Sequence, residues 1–364
     1  MKVVIIGAGV AGLGIGWRLR QAGAEVTILE RSQPALGATW ASAGMIAIAG
    51  EGVDPGSAEA DFSRQSSALW PDFAKEVEAG SDLEIDYRRS GAVLVARDEA
   101  ELAALSTRPG FERLSLAETR AKEPMLSPDI AGGVWAEGEA QVDSRLLGQA
   151  LVRAFLRAGG TLSVNEPAIR FEVREDEAVA LHTPFARYEA DAFILAAGAW
   201  SAGLGGLAPD VLPPVKPIKG EMIAVAPPTG ARLPEHVVWG NQVYLVPRRD
   251  RLLIGATETD IGFDTSVTDD GTLWLSSRAI ALMPALASWE VIERWAGLRP
   301  GSPDGLPILG PSAVRRLFVA TGQYRNGILF APSVAENMSR LVLGHAAGIS
   351  AFDPRRFQKS QGQA

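Results

Sequence analysis

The most constraining feature of this chain is the run that opens it. Val3-Val4-Ile5-Ile6 is short, wholly apolar and β-branched, which reads as a buried parallel strand. Gly7-Ala8-Gly9-Val10-Ala11-Gly12 follows at once, and Val10, Leu13, Gly14 and Trp17 then recur at helical spacing. Arg18 and Arg20 suit a helix C-terminus and Gly23 can end it. Val26-Thr27-Ile28-Leu29 is a second strand, closed by Glu30 and Arg31. In such a βαβ unit Gly7 permits the tight turn, Gly9 lets the backbone approach a pyrophosphate, and Gly12 lets helix and strand pack closely. The helix N-terminus, with Val10 and Ala11, supplies partial positive charge to phosphates. Glu30 can accept hydrogen bonds from ribose hydroxyls. A lone G-x-G-x-x-G is a weak signal, but here strand, helix, second strand and terminal acid agree on a dinucleotide. The fingerprint alone does not choose NAD or FAD. A single fingerprint at the start favours FAD and speaks against a second, NAD(P)H site.

Bulk properties narrow the class. The 364 residues suit about two domains. The net charge of −8 disfavours nucleic acid as a partner. No Cys is present, which excludes disulfides, thiolate metal sites and flavin attachment through sulfur. His182, His236 and His345 show no ligand spacing, so no metal centre is expected. The apolar run at the N-terminus is punctuated by glycines, and 192–208 holds several more. A cytoplasmic protein without a membrane span is the expectation. The sequence leaves oligomeric state open, a homo-oligomer included.

Ala38-Thr39-Trp40-Ala41-Ser42-Ala43-Gly44-Met45 is dominated by small residues. It reads either as a flexible loop or as one whose backbone passes close to a flat ring. This segment resembles the one that lines pyrophosphate, ribityl and isoalloxazine in the D-amino acid oxidase family. Trp295-Ala296-Gly297-Leu298-Arg299-Pro300 and Gln323-Tyr324-Arg325-Asn326-Gly327-Ile328-Leu329-Phe330-Ala331-Pro332 resemble the glycine oxidase branch of that family. Tyr244-Leu245-Val246-Pro247-Arg248 and Gly255-Ala256-Thr257 match it in order and spacing.

The resemblance spans nearly the whole chain. It implies an α/β fold: a FAD-binding Rossmann-like domain of glutathione-reductase type with an inserted α+β substrate domain. FAD would be bound non-covalently by Gly7, Gly9, Val10, Ala11, Gly12, Glu30, Arg31, Ala38, Thr39, Ala43, Gly44 and Met45. It would also touch Ala168 through the backbone, Ala197, Gly198 and Trp200, and the segment Gln323, Tyr324, Arg325, Asn326, Gly327, Ile328 and Leu329.

Between these motifs, Asp143 can N-cap a helix whose apolar face is Leu147, Ala150, Leu151 and Ala154, ended by Gly159-Gly160. Strand-like runs follow at 161–164, 168–173, 178–182, 185–189 and 193–195. Further strands are expected at 221–225, 237–239, 242–246 and 251–254. A last helix runs through Pro332 to about His345, with Val334, Met338, Leu341 and Val342 at helical spacing. The FAD domain then takes residues 1–78, 141–211 and 296–364, and the substrate domain takes 79–140 and 212–295. A polar tail begins at Gln358.

The chemistry implied is removal of a hydride equivalent from Cα of a small amino acid or N-methyl amine to flavin N5. The products are an imine or 2-oxo acid, ammonia and, with molecular oxygen as acceptor, hydrogen peroxide. Such a substrate offers one strong handle, its carboxylate, and a guanidinium grips it with two bonds. Arg299 is the candidate, in an otherwise apolar stretch. Its alternative is a salt bridge to Asp304 or Glu293. Tyr244 is the candidate second donor, or a packed core Tyr. Arg325 either meets substrate or holds its loop against the flavin, and the helix after it would turn its N-terminus to the flavin pyrimidine edge. Glu258 departs from the family pattern, where this position is often apolar. It could bind the substrate ammonium or simply face water, and it leaves open the choice among glycine, sarcosine and small D-amino acids. The resemblance also implies supply of an imine for the thiazole of thiamine. The main rival keeps the fold and passes electrons to a quinone, as a D-amino acid dehydrogenase. A tRNA-modifying flavoprotein, a non-catalytic FAD module and an NAD-dependent dehydrogenase are further rivals.

Overall fold

The computed structural model describes residues 1–48, 54 and 56–358. Past Gln358 the expected polar tail lies outside the described residues. The opening unit forms as its pattern dictates: strand Lys2–Ile6, helix Val10–Gln21 and strand Glu25–Leu29, the two strands parallel. The full sheet has six strands in the order Ile308–Pro311, Leu317–Thr321, Ala192–Leu195, Lys2–Ile6, Glu25–Leu29, Thr161–Ser163. All neighbours are parallel except the first pair.

The apolar run of the first strand serves two layers at once. Val3 and Ile5 pack into a core with the helices Val10–Gln21, Ala58–Ser81, Ser144–Arg157 and Ala331–Val342. Val4 and Ile6 pack with Phe171, Leu181 and Phe193 under an antiparallel meander of Arg170–Arg174, Glu177–His182 and Arg187–Tyr188. A strand buried on both faces has no polar alternation to keep, which is why it reads as a continuous apolar run. Asp143 caps its helix as expected, accepting from Arg145 N and Leu146 N at 2.9 and 3.1 Å.

The second sheet has eight strands in the order Glu290–Gly301, Lys216–Ala226, Leu252–Gly255, Val243–Pro247, Val237–Gly240, Ala92–Ala96, Gly132–Ala136, Glu112–Ser115. Helix Asp269–Leu282 covers one face, through Leu275, Ala279 and Leu282 against Ile223, Leu245 and Ile254. The other face turns Met222, Ala224, Val246 and Trp295 toward Ala41 and Ala43. No described helix is long and apolar enough to cross a membrane.

Three features differ from expectation. The segment 38–45 contains a short helix, Ala38–Ala41, and a strand, Met45–Ile46, rather than only a loop. The strand expected at 221–225 is Lys216–Ala226, held along its length by Glu290–Gly301. The boundaries expected at 78/79 and 295/296 fall inside helix Ala58–Ser81 and strand Glu290–Gly301. We propose two units built on the two sheets, with those boundaries moved to Ser81 and Gly301, because neither a helix nor a fully paired strand divides mid-element.

Candidate functional site

A cavity of about 1230 Å³ runs between the two sheets. One end is the turn after the first strand. Gly7 has φ +103°, and a Cβ there would stand 2.4 Å from the Ala196 carbonyl oxygen. Gly12 does not line the cavity: a Cβ on it would meet the Gly7 carbonyl oxygen at 2.0 Å, so its part is helix–strand packing. The Val10 N–H is already satisfied by Thr39 Oγ1 at 3.0 Å. No partner is recorded among the described residues for the N–H groups of Gly9 and Ala11, which leaves backbone donors at a positive helix end. Glu30 accepts from Ala8 N at 2.9 Å and from Ser32 N at 3.0 Å, which pins its carboxylate at the cavity. Arg31 lies flat on Trp200, 3.5 Å from the ring centroid, and burial lowers its guanidinium pKa against the opposing pull of Glu30. Trp200 stacks in turn on Phe263 at 5.5 Å.

The middle of the cavity is floored by 38–45. Gly44 has φ +74°, and a Cβ there would meet the Val142 carbonyl oxygen at 1.9 Å. Arg248 locks this segment from behind. Its guanidinium, 3% exposed, donates to the carbonyls of Ala43 and Val142 and to Gln141 Oε1. Burial lowers its pKa to about 10, which leaves it charged at neutral pH. Trp295 Nε1 donates to the Ala41 carbonyl at 2.9 Å, and Gly297 is the only residue type that fits where a Cβ would stand 2.3 Å from that of Ala41.

The eight-stranded sheet roofs the cavity. Its register sets Trp239, Tyr244, Gly255, Met222 and Trp295 in one row across adjacent strands. The Tyr244 ring lies over Gly255, where a Cβ would be 2.5 Å away, and its hydroxyl approaches Met222 Sδ at 3.8 Å. Arg299 sits near the end of this roof. Its guanidinium lies across Gly220, where a Cβ would be 2.4 Å from Nη1. Nη1 donates to the carbonyls of Thr257 at 3.2 Å and Lys219 at 3.4 Å. No carboxylate of the described residues pairs with it. Both acids considered as its salt-bridge partners are taken: Glu293 by Arg145 at 2.8 Å and Asp304 by Arg356 at 2.8 Å.

The far end is the segment 323–329. Gln323 Nε2 and, in the roof, Trp239 Nε1 are buried without a hydrogen-bond partner. Helix Ala331–Val342 runs through Pro332 as expected and ends at Val342 rather than about His345, and its own first donors are partly spent, Ser333 N on Ser66 Oγ at 3.3 Å. Donors without a partner among the described residues lie one turn earlier, on the N–H groups of Gly327, Ile328 and Leu329. The Leu329 side chain is buried outside the cavity lining, and its carbonyl accepts from Ser66 Oγ at 2.7 Å and Trp70 Nε1 at 3.0 Å. Asn326 Nδ2 donates to Glu59 Oε1 at 2.9 Å, and burial raises the Glu59 carboxyl despite that bond. Helix Ala58–Ser81 thus holds this segment from outside. Arg325 pairs with Glu258, which also accepts from the Tyr324 hydroxyl.

Every expected site residue except Gly12 and Leu329 lines the one cavity, Ala168, Ala197 and Gly198 included. Met222, Trp239 and Phe263 join them without having been singled out. The cavity joins the two ends and, among the described residues, carries unpaired backbone donors at both. That fits an extended dinucleotide bearing a flat ring.

Comparison with known proteins agrees. A family described as FAD dependent oxidoreductase matches residues 2–341. A glycine oxidase of Geobacillus kaustophilus is 36% identical over 93% of this chain and 92% of its own length. The crystal structure of glycine oxidase from that organism superposes with a TM-score of 0.89 at 32% identity, covering 100% of this chain and 99% of that one. The iminodiacetate oxidase structure from Chelativorans sp. BNC1 has a TM-score of 0.87 at 29% identity, over 97% and 98% of the two chains. A bifunctional protein ThiO/ThiG of Synechocystis sp. is 36% identical over 98% of this chain, which spans 54% of that protein's length. The chain belongs to the family of FAD-dependent oxidoreductases.

Proposed function

We propose that this enzyme oxidises small amino acids, glycine and sarcosine foremost and small D-amino acids with them, with oxygen as the electron acceptor. The balanced reaction for a primary amine takes amino acid, oxygen and water to 2-oxo acid, ammonia and hydrogen peroxide. FAD, held non-covalently by Gly9, Ala11, Glu30, 38–45 and 323–329, supplies the acceptor for the hydride equivalent that leaves Cα.

The observation that carries the proposal is Arg299. A guanidinium facing a cavity, with no carboxylate partner and a glycine beneath it, is ready for a ligand carboxylate. The Thr257 and Lys219 carbonyls hold Nη1, so the rest of the fork is left for substrate. In this reading Tyr244, in the same roof, is the second donor to the carboxylate. With its carboxylate anchored there, a small amino acid has Cα one bond away, and orientation follows from the grip. Glu30 and Glu258 are the only carboxylates among the described lining residues. Glu30 sits at the dinucleotide end, and Glu258 is held charged by Tyr324 and Arg325, a weak base. The amine therefore loses its proton without a dedicated base, and kcat/KM should rise with pH as the free amine of the substrate does. Supply of an imine for the thiazole of thiamine is the metabolic role that the family resemblance implies, and it forms part of this proposal.

The test is peroxide formation by the purified yellow protein with glycine or sarcosine under air. Reduction of the flavin by these amines without peroxide, and with turnover restored by a quinone, would replace the acceptor and keep the rest.

A further inference from the structure

Glu258 has no part in the reaction above, yet among the described residues lining the cavity it is the one carboxylate beside the substrate clamp. It follows Thr257 directly, whose carbonyl holds Arg299 Nη1 at 3.2 Å. Both residues line the same cavity. The Arg325 guanidinium pairs with the carboxylate and the Tyr324 hydroxyl donates to it. Burial alone would raise its carboxyl. Tyr324 and Arg325, with help from Arg299, outweigh burial and hold it below the ordinary value of 4.5. Glu258 is therefore fixed and negative at neutral pH. Glu258 and Arg325 are both exposed, so the pair itself adds little to stability; with Tyr324 they also line the cavity that holds Arg299.

We propose that Glu258 is a charge filter: it admits amines whose N-substituent or side chain is neutral and rejects those that carry a second carboxylate. This rests on the amino acid oxidase reading. A substrate anchored on Arg299 brings its nitrogen substituent into the same narrow space as Glu258. A second carboxylate there meets a fixed like charge at the cavity wall, and like charges at close range disfavour binding. Arg325 offers it no relief while its guanidinium is engaged by Glu258. A neutral methyl group meets no such penalty. The filter thus separates sarcosine from iminodiacetate, which differ only by a carboxylate on the N-methyl carbon.

The experiment compares iminodiacetate with N-isobutylglycine, which has the same branched shape without the charge, using sarcosine as the reference. In the wild-type holoenzyme sarcosine reduces the flavin and iminodiacetate does so far less efficiently than N-isobutylglycine. In Glu258→Gln the iminodiacetate to N-isobutylglycine ratio of kcat/KM rises about tenfold or more, and in Glu258→Asp, which keeps the charge, it rises much less. A binding readout runs in parallel: Kd for diglycolate relative to methoxyacetate, two ethers that offer no amine to oxidise, followed by flavin absorbance. That Kd ratio should fall in Glu258→Gln, the binding counterpart of the rise in the kcat/KM ratio. A ratio unmoved by Glu258→Gln, an equal gain for N-isobutylglycine, or equal effects of Gln and Asp overturns the filter alone. A wild-type flavin that no small amine reduces overturns the oxidase reading and the filter with it.

Discussion

Replacing Arg299 should remove most of the enzyme's hold on its substrate while leaving the cofactor in place. The guanidinium rests on Gly220 and spends only Nη1, at 3.2 and 3.4 Å, on two backbone carbonyls. The remaining fork can make two charge-assisted hydrogen bonds to a carboxylate, each worth about 1.5–3 kcal/mol. Loss of both in Arg299→Ala removes about 3–6 kcal/mol, or roughly two to four orders of magnitude in kcat/KM for glycine. Arg299→Lys keeps the charge and loses the planar fork, so it should fall between, about one to two orders down. No acid among the described residues depends on Arg299 for its pairing, so the fold should tolerate either change. The assay is the rate of anaerobic flavin bleaching against glycine concentration, with flavin content measured on the same samples. Flavin-loaded Arg299→Ala enzyme with unchanged kcat/KM would refute the clamp.

Other expectations follow from the walls of the cavity. Arg248→Met leaves the carbonyls of Ala43 and Val142 and the Gln141 side chain without their buried donor. It should cost about 3–5 kcal/mol in denaturant unfolding, and a loss under about 1 kcal/mol would contradict that lock. Gly44→Ala forces a side chain into φ +74° and against Val142. The strain alone is about 1–3 kcal/mol, and the protein should purify with substoichiometric flavin by absorbance. The Glu258 carboxyl is held below 4.5, so its charge is present above that value and lost only as pH falls through the lowered one. The discrimination between iminodiacetate and N-isobutylglycine should therefore stay level from about pH 9 to about pH 5; a break near neutrality would assign it to another group.

What could be read in the sequence was local or periodic. The glycine fingerprint was legible because the conflict of Gly12 with the Gly7 carbonyl arises inside the motif itself, and the core of Val3–Ile6 because both its faces are apolar. Arg299 stood out as a charge in an apolar stretch, but its lack of an ionic partner depends on where Arg145 and Arg356 lie. Gly220 and Met222 gave no signal, since their place beside Arg299 and Tyr244 is set by antiparallel register among strands far apart in sequence. Helix Ala58–Ser81 went unseen for a different reason. Its buried stripe runs through Phe62, Ser66, Trp70, Phe73 and Val77, and serines with Pro71 break the apolar period. The capping Ser57 and the acids Glu59 and Asp61 were the available clue. The pairing of Glu258 with Arg325 joins residues from the two sheets' loops, and only the fold brings them together.

The central claim is that this flavoprotein takes its electrons from a small amino acid, and anaerobic bleaching of the flavin tests it most directly. Glycine, sarcosine, D-alanine, D-proline and 2-hydroxyglutarate are each added to the oxygen-free yellow protein and the loss of flavin absorbance is followed. Glycine or sarcosine should bleach it fastest and 2-hydroxyglutarate should leave it oxidised. A colourless protein, a flavin that none of the amines reduces, or one that responds only to the hydroxy acid would contradict the account.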